Sequence, residues 1–162
     1  MKQAPARLKG YASCLKDSWR ILVLVDRDDN NCVELKAKLE EMAAKAGLLT
    51  KSAASQEQHF QVINRIAIEE LEAWFFGDWA SVQAAYPRVS AAISKKAGFR
   101  DPDAIGGGTW EALERVLKRA GYFSGGLRKI ELARSVAAHM QPNRNSSRSF
   151  QVFASAITAI LV

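Results

Sequence analysis

The sequence predicts an α/β protein, with a small parallel sheet flanked by helices and a helical C-terminal extension. The main observation is a run of five apolar residues, Ile21–Val25, which is typical of a strand buried on both faces in a parallel sheet. A weaker apolar stretch at residues 58–64 indicates a second strand, and beyond Gly77 apolar residues recur at helical spacing. We therefore expect two parts, an α/β part at residues 1–78 and a helical extension packed on it at residues 79–162.

Residues that start and stop helices place the elements of the α/β part. A short helix is expected at residues 8–16, before the first strand. Asn31 has the position of an N-cap, and Gly47 ends the helix that follows it. After the second strand, the apolar spacing of residues 65–76 predicts a helix that buries Trp74.

The same signals predict the helices of the extension. The expected helices cover residues 79–86, residues 89–97, a segment capped by Thr109 and ended by Gly121, a segment that stops near Pro142, and a last helix opened by Ser146 or Ser147. Residues 99–108 are expected to form an irregular loop, because they include one Pro and three Gly.

Two strands are too few for a stable sheet, because both outer edges would be unpaired. Three arrangements would remedy this. A further strand lies in residues 48–54, a partner chain supplies one, or the chain lacks an N-terminal strand that the fold needs. The sequence leaves these three alternatives open.

Composition favours a globular protein of a reducing compartment. The chain has 162 residues, of which 48% are hydrophobic, and no apolar run reaches the about 20 residues that span a bilayer. The N-terminus does not have the pattern of a secretory signal, and Cys14 and Cys32 are predicted to be buried thiols. We therefore expect a cytoplasmic protein that is not bound to a membrane.

The chain carries 23 Lys and Arg against 17 Asp and Glu, a formal net charge of +6. This excess is compatible with binding a nucleic acid, and it is also an ordinary means of staying in solution. Eight of these cations lie in the last third of the chain. The candidates for contacts with phosphates are Arg128, Lys129, Arg144 and Arg148. The alternative is that these side chains are simply solvated.

Three carboxylates, Asp26, Asp28 and Asp29, crowd the point where the first strand would leave the sheet. Ligands of open α/β folds gather outside the carboxyl ends of strands, and like charges this close repel unless a cation lies among them. Because Mg2+ takes oxygen ligands, these residues are candidate metal ligands. The alternative is an ordinary polar turn, since Asp and Asn are common in turns and caps.

A second acidic cluster includes Glu69, Glu70 and Glu72, in the helix predicted after the second strand. On a helix Glu69 and Glu72 share a face, whereas Glu70 points elsewhere. If both acidic clusters converge at one sheet edge, Glu69 and Glu72 are candidate catalytic residues that complete a metal shell or position water. The alternative is a solvated helix face, and Asp78 is expected to cap the next helix. Neither a Walker A motif nor a Gly-x-Ser-x-Gly nucleophile motif is present.

These residues resemble a bacterial family of uncharacterised proteins, the domain-of-unknown-function family 4276. The resemblance rests on Val25-Asp26-Arg27-Asp28-Asp29 with the Cys-containing helix behind it, on Asn64 to Phe75, on Phe99-Arg100-Asp101-Pro102, and on Lys129 to Ser149-Phe150. It covers most of the chain, and the acidic segment with its Trp is the most specific part. The family is regarded as related to Toprim domains, the metal-binding α/β domains of topoisomerases, primases and certain nucleases.

The resemblance implies a Toprim-like α/β part with Mg2+ as its cofactor. In Toprim domains an Asp-x-Asp motif at a strand end binds Mg2+, and Asp26 and Asp28 match this motif. The glutamate that Toprim domains carry at the end of an earlier strand has no counterpart before Leu8. The resemblance therefore implies a Toprim-like part that is N-terminally incomplete.

Two functions follow as hypotheses. The first is a Mg2+-dependent, nuclease-like protein that processes the phosphodiesters of a nucleic acid. The second is a non-catalytic binding module, or the partner of an ATPase, in a defence-type system. A homo-oligomer is compatible with either hypothesis.

Overall fold

The structure, a computed structural model, describes residues 3–55, 58–126 and 128–161. Within these ranges the protein is mixed α/β, with a two-stranded parallel sheet and a helical C-terminal region, as the sequence predicts. The described elements are the strands β1 (Ile21–Asp26) and β2 (Val62–Ala67) and the helices α1 (Ala4–Ala12), α2 (Cys32–Lys45), α3 (Ala73–Gly77), α4 (Trp79–Ala85), α5 (Thr109–Arg119), α6 (Lys129–Ala137) and α7 (Arg148–Leu161).

The chain divides into two compact units. The first contains the residues up to Ile66 together with those from Ser155 onwards, and the second contains Ala67–Ala154. The boundary expected from the sequence, after residue 78, therefore falls within the second unit.

The first unit contains β1, most of β2, and the helices α1 and α2. Asn31 caps α2 as predicted, because its side-chain oxygen accepts hydrogen bonds from the backbone N–H groups of Val33 and Glu34. One core cluster of this unit consists of the buried residues Leu8, Ala43, Leu48 and Val62.

One edge of β2 pairs with β1, and its other edge meets a short segment around Thr50. The Ile21 N–H donates to the Gln61 carbonyl at 2.8 Å, which starts the β1–β2 ladder. Thr50 forms an isolated parallel bridge with Val62, and the Lys51 N–H donates to the Val62 carbonyl at 2.8 Å. The further strand considered for residues 48–54 is thus a single bridge in the structure.

The sequence prediction that β1 is buried on both faces is wrong. Its five apolar residues, Ile21–Val25, are only half-buried, whereas Val62 and Ile63 of β2 are buried. The reason is topological, since β2 lies between β1 and the segment around Thr50, whereas β1 pairs with β2 alone among the described residues. The prediction for the cysteines is also wrong, because Cys14 and Cys32 are both exposed.

The prediction of a helix at residues 65–76 is wrong for the first half of that segment. Residues up to Ala67 belong to β2, and α3 begins only at Ala73. Pairing with β1 outweighs the helical spacing of the apolar residues, because long-range pairing commonly overrides weak local propensity. The helix expected at residues 89–97 is likewise replaced, by the short 3-10 turns Ile93–Lys95 and Ala97–Phe99.

The second unit has the larger core. Trp79 and Val82 of α4 pack in it with Leu113 and Leu117 of α5, all of them buried. Trp74 is also buried, as predicted, and its ring contacts the rings of Phe150 and Phe153 at centroid distances of 5.3 and 4.8 Å. Large aromatic contacts of this kind contribute stability beyond the burial of area alone.

Candidate functional site

The acidic turn, Asp26–Asp29, connects β1 to α2. Asp26 is the last residue of β1, and Asp26, Asp28 and Asp29 are all exposed to solvent. Asp28 has a φ of 48°, in the left-handed region that non-glycine residues seldom adopt. The turn closes through Asn30, whose backbone N–H and side-chain amide both donate to the Arg27 carbonyl, at 3.1 and 2.9 Å. Its backbone is therefore held by local bonds, and its three aspartates are solvent-exposed residues.

The donors of the acidic turn suit a hard cation, because carboxylate oxygens are the ligands that Mg2+ prefers. Throughout residues 3–55, 58–126 and 128–161, no three His, Cys, Asp or Glu side chains gather in an arrangement that would hold a metal ion. Any ion at the turn would thus be bound by one or two carboxylates, with water completing its shell.

Glu69 and Glu72 do not share a helix face, so that part of the prediction is wrong. Glu69 lies outside any helix, with a φ of 62°, and Glu72 is the residue that precedes α3. A carboxylate oxygen of Glu72 is 3.5 Å from the Lys129 ammonium nitrogen. Both glutamates belong to the second unit, whereas the acidic turn belongs to the first, and their catalytic role stays a prediction.

Glu70 caps helix α5 from a distance in sequence. Its Oε2 accepts a hydrogen bond from the Thr109 hydroxyl and another from the Trp110 backbone N–H, each at 2.9 Å. Gly108, the residue at the N-cap position of α5, has no side chain to supply this acceptor. Glu70 therefore takes the place of a local N-cap and puts a negative charge at the positive end of the helix.

Asp78 is buried and bound to Arg144. It occupies the N-cap position of α4, as predicted, but its side chain makes no capping hydrogen bond there. Instead it accepts hydrogen bonds from the Arg144 guanidinium and from the Gln141 backbone N–H. Asp78 raises the pKa of Arg144 above its ordinary value, because the hydrogen bonds that its carboxylate accepts, and then its negative charge, favour the charged guanidinium.

The four predicted phosphate contacts differ in their surroundings. Arg128 and Lys129 start α6 and line an open cleft of about 660 Å3, in which Arg128 also pairs with Glu131 at 3.0 Å. Lys129 lies over the Trp110 ring, 4.0 Å from its centroid. Arg148 is exposed at the start of α7, and Arg144 is engaged by Asp78.

Two polar clusters were missed by the sequence reasoning. In the second unit, Asp103 accepts hydrogen bonds from the Ser147 and Ser149 hydroxyls, both at 2.8 Å, and from the Ser149 N–H at 2.9 Å. Ser147 in turn caps α7 by accepting from the Phe150 N–H at 3.1 Å. Asp103 is more than 40 positions away from these serines in the sequence. The only local sign of this cluster was that Ser146 or Ser147 was expected to open the last helix.

The second missed cluster lies in the first unit and is centred on Glu40. Glu40 Oε1 accepts hydrogen bonds from the Lys36 ammonium at 2.5 Å and from the Asn64 side-chain amide at 3.0 Å. Burial acts to raise the pKa of Glu40, but hydrogen bonds from Lys36, Thr50 and Asn64 and the Lys36 charge lower it below its ordinary value. The spacing of four residues between Lys36 and Glu40 was the available signal.

The fold and these clusters define a mixed α/β protein with a short parallel sheet and an exposed acidic turn at the carboxyl end of its first strand. The chain belongs to the family described as Domain of unknown function (DUF4276), whose family model matches residues 1–158. No curated protein and no solved structure matches the chain. No helix in the described part of the chain is both long and apolar enough to cross a membrane.

Proposed function

We propose that this protein is a Toprim-like subunit that binds Mg2+ at the acidic turn and processes the phosphodiesters of a nucleic acid. The observation that carries the proposal is the position of the turn, which presents three exposed carboxylates within four residues at the carboxyl end of a parallel strand. The left-handed backbone of Asp28 adds support, because such conformations are concentrated at functional sites.

Binding through one or two carboxylates is how Mg2+ is commonly held when the substrate supplies phosphate oxygens. The acidic turn fits this kind of site, since Asp26 and Asp28 offer oxygen donors that water can reach. Once bound, Mg2+ would polarise a phosphoryl oxygen and lower the pKa of a bound water.

The nucleic acid would be held by cations of the second unit. Arg128 and Lys129 support this role, because they are adjacent and line the same open cleft. Arg148 is exposed to solvent, so its guanidinium is accessible to a phosphate group. Arg144 is the weakest of the four candidates, because its guanidinium already donates to the buried Asp78.

The metal proposal is tested by calorimetric titration of the full chain with Mg2+ and Mn2+. The variant is Asp26→Asn with Asp28→Asn, because Asn removes the charge and still tolerates the left-handed backbone at residue 28. We expect the wild type to bind and the double variant to lose at least about tenfold in affinity. The matched control, Asp17→Asn with Glu41→Gln, removes two charges from exposed positions of the same unit and should bind as the wild type does.

Activity is tested separately, with single-stranded DNA, duplex DNA and RNA incubated with Mg2+ or Mn2+. Cleavage that disappears in the Asp26→Asn, Asp28→Asn variant and persists in the control would support the proposal. Metal affinity that is equal in the wild type and the double variant would overturn it.

A second candidate function is a non-catalytic module that binds a partner protein. The partner that we propose for it is an ATPase of a defence-type system. The observation that favours it is that Glu70, Glu72 and Asp78 each engage a neighbouring side chain or helix end. Carboxylates used in this way stabilise a fold rather than perform chemistry. Co-purification with the product of the neighbouring gene, together with equal binding of that product by the Asp26→Asn, Asp28→Asn variant and no cleavage of any nucleic acid, would support this function over the first.

A further inference from the structure

Strand β1 has the composition of an interior strand but the position of an edge strand. Ile21–Val25 is apolar throughout, and β2 is the strand that pairs with it among the described residues. Natural proteins protect free edges with charges, prolines or bulges, because an unprotected edge is a template for another strand. The run Ile21–Val25 contains none of these protections, so its open side is suited to pairing.

The open side of β1 forms a groove. The groove has a volume of about 750 Å3 and lies between Arg7, Leu8 and Tyr11 of α1 and all five residues of Ile21–Val25. Side chains of successive strand residues point to opposite faces of a sheet. A groove that is lined by five consecutive residues therefore runs along the edge of the strand and not over one face. Tyr11, which is 50% exposed, adds apolar surface beside this edge.

The hydrogen-bonding groups on this edge can be assigned from the register of the sheet. The Ile21 N–H donates to Gln61, so Ile21, Val23 and Val25 direct their backbone groups towards β2. The backbone N–H and C=O groups of Leu22 and Leu24 therefore point towards the groove. These are the groups that an added strand would bond.

We propose that β1 pairs in antiparallel fashion with β1 of a second copy of this chain, so that the two-stranded sheets of both copies join into one continuous sheet. The symmetry axis passes beside Val23. In this register Leu22 of one copy is opposite Leu24 of the other, and the two exchange both backbone hydrogen bonds. Val23 is opposite Val23 in the intervening pair without hydrogen bonds, which is the alternation that antiparallel pairing requires.

Charge complementarity is the reason for assigning the groove to a second copy. Arg20 precedes the apolar run and Asp26 ends it, so the proposed register places each Arg20 opposite the other copy's Asp26. Opposite charges in cross-strand positions stabilise a sheet, and like charges destabilise it. The Arg20 guanidinium is held at the start of β1 by the Asp17 and Trp19 carbonyls, at 2.6 and 2.7 Å, by the His59 ring, and by the Phe60 ring at 5.5 Å. These contacts keep its charge at that end of the strand.

The oligomeric state is tested by sedimentation equilibrium of the full chain, with Leu22→Pro as the first variant. The Leu22 N–H points away from β2, so proline there removes a bond to the second copy without removing one from the β1–β2 ladder. We expect the wild type to dimerise, and the proline variant to be a folded monomer with the wild-type circular dichroism. A wild type that is monomeric at about 100 µM would overturn the proposal.

The register is tested by cross-linking in a Cys14→Ser, Cys32→Ser background, which removes both exposed thiols. Val23→Cys places two thiols across the axis at a separation suited to a disulfide. We expect Val23→Cys to give a covalent dimer on mild oxidation. The control Val33→Cys, on exposed α2 surface, should stay monomeric. Equal cross-linking of both variants would overturn the register.

The charge argument has its own test, which does not depend on a proline variant that folds. Arg20→Asp should weaken the dimer by roughly fivefold, and adding Asp26→Arg should restore it, because the swap recreates both opposite-charge pairs. Failure of the swap to restore the dimer would contradict the assignment to a second copy. Hydrogen exchange at Leu22 and Leu24 that is slow in a monomer would show that another segment covers the edge, and would equally overturn it.

Discussion

The carboxylate of Asp78 is bound by the Arg144 guanidinium through two hydrogen bonds, with Nε 2.5 Å from Oδ1 and Nη2 3.0 Å from Oδ2. The Asp78 side chain is completely buried, whereas Arg144 is 38% exposed. A buried carboxylate without its partner is costly, because neither water nor another charge compensates it. This pair therefore holds the start of α4 to the segment that precedes α7.

Arg144→Ala should destabilise the protein clearly more than the loss of an exposed arginine does, because it leaves the buried Asp78 charge without its ion-pair partner. The measurement is urea unfolding followed by circular dichroism. The matched control is Arg148→Ala, an exposed arginine four residues further on, which should change stability by less than about 0.5 kcal/mol. Similar losses of stability in the two variants would show that the Asp78–Arg144 ion pair is not the cause of the destabilisation.

Glu70→Ala should destabilise α5 by about 1 to 2 kcal/mol, because the Thr109 hydroxyl and the Trp110 N–H lose their acceptor. Glu111→Ala, which removes an exposed glutamate from the first turn of the same helix, should cost less than half as much. Denaturant unfolding of Glu70→Ala, Thr109→Ala and the double variant gives the coupling energy between Glu70 and Thr109. Additive losses would argue against the Thr109–Glu70 hydrogen bond.

Gly77→Ala should cost about 1 to 3 kcal/mol through crowding. A Cβ at this position would lie 2.9 Å from the Ser147 backbone nitrogen and would collide with the Asn145 side chain. Asn145 has little freedom to move, because its amide donates to the Trp74 carbonyl at 2.8 Å and its Oδ1 accepts from Ser147. Gly98→Ala, where no atom lies within 4 Å of the added carbon, should be nearly neutral in the same thermal-unfolding measurement.

The stability of the protein should depend on pH through Glu40. Its pKa is lower in the folded state than the ordinary 4.5, so its contribution is present above about pH 4.5 and is lost as the pH falls through the folded value. Glu40→Gln should therefore cost about 1 to 2 kcal/mol at pH 7 and progressively less below pH 4.5. Urea unfolding between about pH 3 and pH 7 measures this difference. In a Lys36→Met background the pH-dependent part should shrink, and an unchanged pH dependence would contradict the role of Lys36.

Features of the fold that depend on neighbouring residues could be predicted from the sequence. The apolar run at Ile21–Val25 is a strand, Asn31 caps α2, and α4 lies within one residue of the predicted residues 79–86. Each of these rests on interactions within about four positions along the chain, which a sequence displays directly. The acidic turn is identified for the same reason, since its members are consecutive.

Features that depend on distant residues were mispredicted or missed. The segment at residues 65–67 has helical spacing but joins β2, because pairing with β1 outweighs local preference. Glu70 reaches across 39 positions to Thr109, and Asp78 across 66 to Arg144. Nothing in the residues beside Glu70 or Asp78 indicates these partners. The sequence by itself determined the first strand, the cap of α2 and the acidic turn. The tertiary structure decided whether each carboxylate binds a helix end, forms an ion pair or faces solvent, because burial and long-range contacts exist only once the chain is packed.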